Sequence, residues 1–173
     1  MKSDVKKIVV ASVFAALTCA LTMVIKIPTP GTGGYIHPGD AMVIMCGVLL
    51  GPWYGFFAAG IGSMLSDLIG GYFVYIPATF LIKGLIALVT GYVYQQITQK
   101  NRNPVIGVAF GGIVDIVFVA GGYFLFEAML YGAAGAAVSI IPNLVQGISG
   151  LILSMVLYPI LKPITERTAV YMI

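Results

Sequence analysis

Residues 78–92, ATFLIKGLIALVTGY, carry a single charge, Lys83, in an apolar run. A lysine at the centre of a bilayer helix costs about 2.5–3.5 kcal/mol on insertion scales, so its neighbours must account for it. Other polar groups interrupt other apolar runs: Asp67, Asp115, Glu127, and Asn143 with Gln146, which are three apart and share one helical face. His37 and Asp40 stand in and just after a loop, and Tyr72 and Tyr75 follow a Gly-Gly pair. Such residue types suit two kinds of chemistry: ion pairing between helices, and hydrogen bonding to a small polar solute. Ionisable groups inside a membrane usually face the bundle interior, where they do one or the other. They do not suit metal chemistry, because His37 is the sole histidine; no metal and no cofactor is expected.

The elements that position these groups follow from composition. The chain has 173 residues, 60% of them hydrophobic and 9% charged, and its mean hydropathy is +1.02. Soluble domains carry about 25% charged residues, so this chain cannot cover a water-facing surface. The fold class is an all-α integral membrane protein. Apolar runs near the ~20-residue spanning length lie at 5–26, 53–70, 77–97, 105–131 and 140–162, with a shorter one at 39–51. The N-terminal run is longer than a signal-peptide core and is read as a retained first helix. The stretch 131–139, YGAAGAAVS, reads as either a loop or a frayed helix. Cys19 and Cys46 sit in apolar runs and read as free thiols.

Charge placement sets the crossing number. With six crossings and a cytoplasmic N-terminus, Lys2, Lys6, Lys7, Lys100, Arg102, Lys162 and Arg167 are all cytoplasmic. With five, the last four would move outside and the positive-inside asymmetry would vanish. The expectation is a single six-helix domain over 1–173 with both termini cytoplasmic, in the cell membrane. Tyr35, Tyr72, Tyr75 and Tyr131 then fall near the outer interface, and Trp53, Tyr54, Tyr92, Tyr94 and Tyr158 near the inner one.

On this ruler Lys83 is about 9 Å into the fourth helix from outside. Asp67, Glu127, Asn143, Gln146 and His37 share the outer half with it, and Asp115 alone lies deeper. A pocket opening outward needs polar residues at one end only, whereas a channel needs them throughout. Two readings stay open for each group. Lys83 and Asp67 either pair to orient the third and fourth helices or line the pocket. Asn143 and Gln146 bind a solute or bond between helices, and Tyr72 and Tyr75 stack on a solute or belong to the interfacial belt. His37 is otherwise an ordinary loop residue, and Asp115 reads as structural.

Residues 35–91, YIHPGDAMVIMCGVLLGPWYGFFAAGIGSMLSDLIGGYFVYIPATFLIKGLIALVTG, resemble the S components of energy-coupling factor (ECF) transporters, in the branch of riboflavin-type, hydroxymethylpyrimidine and pyridoxine binders. The resemblance implies capture of a vitamin or precursor from outside, hydroxymethylpyrimidine or pyridoxine being favoured. It implies association with a transmembrane coupling subunit and two ATPases. It also implies that small residues on the first helix, here Ala11, Ala15, Ala16 and Ala20 at AxxxA spacing, pack on the coupling subunit. The residues agree on one point independently: no GxxxxGK[ST] phosphate loop occurs. Two rival readings remain. One is a stand-alone channel. The other is an intramembrane protease, since GISG at 147–150 matches the GxSG of rhomboid proteases; Ser149 would then need His37 as its base.

Overall fold

A computed structural model of the chain describes residues 2–29 and 33–167. The described residues form six helical segments and one short hairpin. Helix α1 (Lys2–Val24) leads into strands β1 (Ile27–Pro28) and β2 (Tyr35–Ile36), which pair antiparallel. Then come α2 (Asp40–Leu50), α3 (Pro52–Gly70), a 3-10 turn at Phe73–Tyr75, and α4 (Ile76–Gln99). The remaining helical stretch, Pro104–Arg167, is broken only at Gly132, whose φ of 77° and ψ of 160° are non-helical. That backbone region is essentially restricted to glycine. It divides the stretch into α5 (104–131) and α6 (133–167).

The break reverses the chain. Residues almost equally spaced about Gly132 face each other, Gly112 with Leu151, Ile116 with Gly147, and Asp115 with Gly150, so α5 and α6 are an antiparallel hairpin. The segment 131–139 is therefore neither a loop nor frayed: one glycine makes the turn, and the alanine-rich residues after it are good helix formers.

Helix α2 is the central post. All eleven of its residues are buried, as expected of a helix that is apolar on every side, and it packs against α1, α3, α4 and the α5–α6 hairpin. Close approach depends on glycine: a Cβ at Gly47 would run into the Ala87 carbonyl of α4, and one at Gly62 into the Ala15 carbonyl of α1. The outer surface is apolar, with Val9, Val13, Phe57, Val117, Leu125, Ile141 and Ile152 all exposed, while Lys83, Asp40 and Asp115 are fully enclosed. This inside-out distribution belongs in lipid. Among the described residues three helical stretches, Val5–Val24, Phe73–Gln99 and Pro104–Glu166, are long and apolar enough to cross a membrane, the last being the α5–α6 hairpin read as one piece. Tyr94 and Tyr158 depart from the expected belt. Both are buried, and their hydroxyls meet at 2.8 Å between α4 and α6, whereas Trp53 and Tyr92 are exposed.

Candidate solute-binding site

Several helix ends and the hairpin converge at one end of the bundle. Helix α3 stops at Gly71, in the left-handed region at φ 82°; Tyr72 N–H donates to Asp67 O (2.8 Å) and Gly71 N–H to Leu68 O (3.4 Å). These two bonds form a Schellman cap, which fixes Asp67 in the last turn. The 3-10 turn then places Tyr75 directly before α4. Thr79 lies in the first turn of α4, and Tyr123 and Glu127 lie one helical turn apart on α5. The hairpin, tied by Thr29 N–H to Gly34 O (3.0 Å), lays Tyr35 and His37 across the top.

These groups enclose a polar cup lined by Thr29, Tyr35, His37, Asp67, Tyr75 and Glu127, with Gly34, Ser66, Thr79, Tyr123 and Asn143 completing the wall. The free space at its centre is ≈ 20 Å³, room for about one water molecule. Each carboxylate is held by one tyrosine. Tyr35 OH donates to Asp67 Oδ1 at 2.7 Å, and Tyr75 OH donates to Glu127 Oε1 at 3.0 Å. The other oxygens, Asp67 Oδ2 and Glu127 Oε2, are buried and, among the described residues, accept no hydrogen bond of normal geometry. The Thr79 hydroxyl lies beside Asp67 and bonds Tyr123 OH at 3.0 Å. Burial, reinforced by Asp67, raises the Tyr35 phenol above its usual range, so it serves as a donor.

His37 is neutral. Its Nδ1 accepts from Gly39 N–H at 3.1 Å, and burial pushes the imidazole down to about 3, with Asp40 opposing and Lys83 and Lys26 adding to the shift. At the rim, Lys26 Nζ donates to Ser66 O (3.3 Å) and stands 4.5 Å from the Tyr35 ring centre and 5.2 Å from that of Tyr72.

Beneath the cup lies a second polar layer. Lys83 Nζ bonds Asp40 Oδ1 at 2.5 Å, and both side chains are fully buried. This corrects the expected Lys83–Asp67 pairing. Lys83 projects toward the first turn of the central helix α2, while Asp67 is held at the cup by Tyr35. Gln146 completes the layer: its Nε2 donates to Asp40 Oδ2 at 2.7 Å, and its Oε1 accepts from His37 N–H at 3.0 Å. The chain Lys83–Asp40–Gln146–His37 thus links α4, α2, α6 and the hairpin. Asp115 lies beside Asp40, against Gly150, with neither carboxyl oxygen hydrogen-bonded among the described residues.

The cup brings together five expected residues, His37, Asp67, Tyr75, Glu127 and Asn143, and leaves three outside its wall. Lys83 and Gln146 lie in the layer below. Tyr72 packs against Tyr35 at the rim, the rings tilted with centres 4.4 Å apart. Sequence reasoning missed Tyr123, Thr79 and Tyr35 as wall residues. Helical spacing carried a signal for two of them, since Tyr123 is four residues before Glu127 and Thr79 four before Lys83. Tyr35 reads from the sequence as a residue of the interfacial belt. Ser149 Oγ donates to Gln146 O at 2.7 Å and makes no hydrogen bond to His37 among the described residues.

A separate apolar groove runs between α1 and α3, lined by Ile8, Ala11, Ser12, Ala15, Ala16, Tyr54, Phe57, Ala58, Ile61 and Leu65. Ala15 is buried at the α1–α3 contact, Ala16 faces outward, and Ala20 is exposed outside the groove.

The molecule is an all-α membrane protein with a buried polar cup at one end of its bundle. Over residues 2–163 the chain matches the family described as ECF-type riboflavin transporter, S component, and it belongs to that family, a transporter component and not an enzyme. It is 38% identical to an uncharacterised protein of Pyrococcus woesei over 82% of this chain and 91% of that one. It is 27% identical to the thiamine precursor transporter HmpT of Lactococcus lactis subsp. cremoris, over 96% of this chain and 92% of the relative. A UPF0397 protein of Streptococcus agalactiae is 31% identical over 52% of this chain and 49% of its own length.

Proposed function

We propose that this protein is the substrate-specific subunit of an ECF-type importer in a prokaryotic plasma membrane, capturing a one-ring vitamin or precursor in the polar cup. Hydroxymethylpyrimidine is favoured and pyridoxine is next. In this reading the chain crosses six times with both termini cytoplasmic, so the cup opens outward. It delivers its solute together with a transmembrane coupling subunit and two ATPases, and the α1–α3 groove with Ala11 and Ala16 is the docking face for the coupling subunit.

The observation that carries the reading is a small polar cup at one end of the bundle above an apolar plug. Helix α2 fills the bundle axis below Asp40 with the apolar run AMVIMCGVLL, which argues against a stand-alone channel. The tight cup favours one ring over the three fused rings of a flavin, because less side-chain displacement is needed. The HmpT relative supports a thiamine precursor. The protease reading is disfavoured, since Ser149 Oγ donates to Gln146 O and, among the described residues, makes no hydrogen bond to His37.

The test is mass spectrometry of small molecules released from the purified protein, with calorimetry against hydroxymethylpyrimidine, pyridoxine and riboflavin. Retention or binding of a one-ring heterocycle is expected. A protein that binds none of the three refutes the proposal. Co-purification with an ATPase module, which a channel would not show, tests the importer assignment.

A further inference from the structure

The cup is acidic on one side of its chemistry and has no cation in its wall. Asp67 is 3% exposed and Glu127 2% exposed. Each spends one oxygen on a tyrosine, and the other, Oδ2 or Oε2, is buried with no hydrogen bond of normal geometry among the described residues, the Thr79 hydroxyl lying beside Asp67. A buried carboxylate oxygen left without a donor is costly, and both acids line one small cavity. The nearest cations are committed elsewhere: Lys83 to Asp40 below, Lys26 to Ser66 O and the Tyr35 and Tyr72 rings at the rim. His37 has its Nδ1 occupied as an acceptor. Tyr75 and Tyr123, whose ring centres are 6.4 Å apart, supply aromatic surface beside the acids.

We infer that the cup selects a heteroaromatic ring bearing an exocyclic amine, whose N–H donors are taken by Asp67 Oδ2 and Glu127 Oε2 while the ring lies against Tyr75 and Tyr123. This rests on the solute-binding reading above and narrows it to aminopyrimidine-type solutes. A carbonyl in place of the amine turns a lone pair toward each carboxylate, so the cup rejects it. Hydrogen bonds to a charged acceptor are worth about 1.5–3 kcal/mol, so loss of one weakens binding about ten-fold or more.

The experiment titrates the purified full chain with 4-amino-5-hydroxymethyl-2-methylpyrimidine, its 4-oxo analogue, pyridoxine and riboflavin. It is repeated with Asp67→Asn and Glu127→Gln, and thermal unfolding of each variant confirms the fold. The expected result is that the amine binds about ten-fold or more tighter than the oxo analogue, with each variant narrowing that ratio. The wild-type ratio needs no variant, so a poorly folding mutant does not blunt the test. Equal affinity for amine and oxo forms, or preference for pyridoxine or riboflavin, overturns this inference and leaves the solute-binding reading standing. Binding of none of the probes removes both.

Discussion

Replacing Lys83 with methionine separates the two roles the lysine could have. The ammonium is fully enclosed and bonds Asp40 Oδ1 at 2.5 Å. Removing it leaves the Asp40 carboxylate buried with Gln146 Nε2 as its remaining donor. Breaking one side of a buried pair costs about 3–5 kcal/mol. At about 2–4 °C per kcal/mol for a chain of this size, the melting temperature should fall by about 6–20 °C. The double variant Lys83→Met with Asp40→Asn removes both charges and keeps an amide oxygen to accept from Gln146. It should recover most of that loss, since replacing a whole buried pair is often close to neutral. Thermal unfolding in detergent of the two single variants and the double closes the cycle, and calorimetry with a bound heterocycle runs alongside. Independent, additive losses would refute the ion-pair account. So would an unchanged melting temperature with lost affinity in Lys83→Met, which would make Lys83 a wall of the cup.

Ala16→Trp, on the outward side of α1, should abolish uptake by the assembled transporter while leaving solute affinity of the isolated protein unchanged. Ala15→Trp, buried against Gly62, should instead lower the melting temperature; equal behaviour of the two would dissolve the distinction between groove and core. Asn143→Ala should weaken solute binding directly, whereas Gln146→Ala should also loosen the hairpin, read as faster amide exchange at His37. Asp115→Asn should be tolerated within about 1 kcal/mol, because no hydrogen bond is lost, and a melting temperature as low as that of Lys83→Met would contradict this. Folding lowers the His37 value from about 6.5 to about 3. Its contribution is therefore complete above pH 6.5 and is lost as pH falls from there toward 3. Thermal unfolding between pH 4 and 6.5 should show a shallower decline in His37→Gln than in the parent, and parallel curves would count against a buried neutral imidazole.

The hairpin at Gly132 shows how local signals and tertiary contacts divide the information. A glycine among alanines reads equally well as loop or helix, and only the packing of Gly147 on Ile116 and of Gly112 on Leu151 demands reversal there. Tyr94 and Tyr158 show the same limit. Position along a helix suggested the interface, but rotation about the helix axis turned both inward to each other.

The sequence alone determined the solvent, because too few charges exist to face water. It determined the helical class, because apolar runs of spanning length recur between Gly, Pro and polar breaks. It also placed the ionisable groups toward one end, since distance along a helix is set by a fixed rise per residue. Partner choice belonged to the tertiary structure. Lys83 lies within reach of several acids by depth, and azimuth and helix packing alone turned it to Asp40 and left Asp67 to Tyr35. Depth is a property of one helix and can be read along the chain; which side chains meet depends on how six segments rotate against one another, and no single segment encodes that.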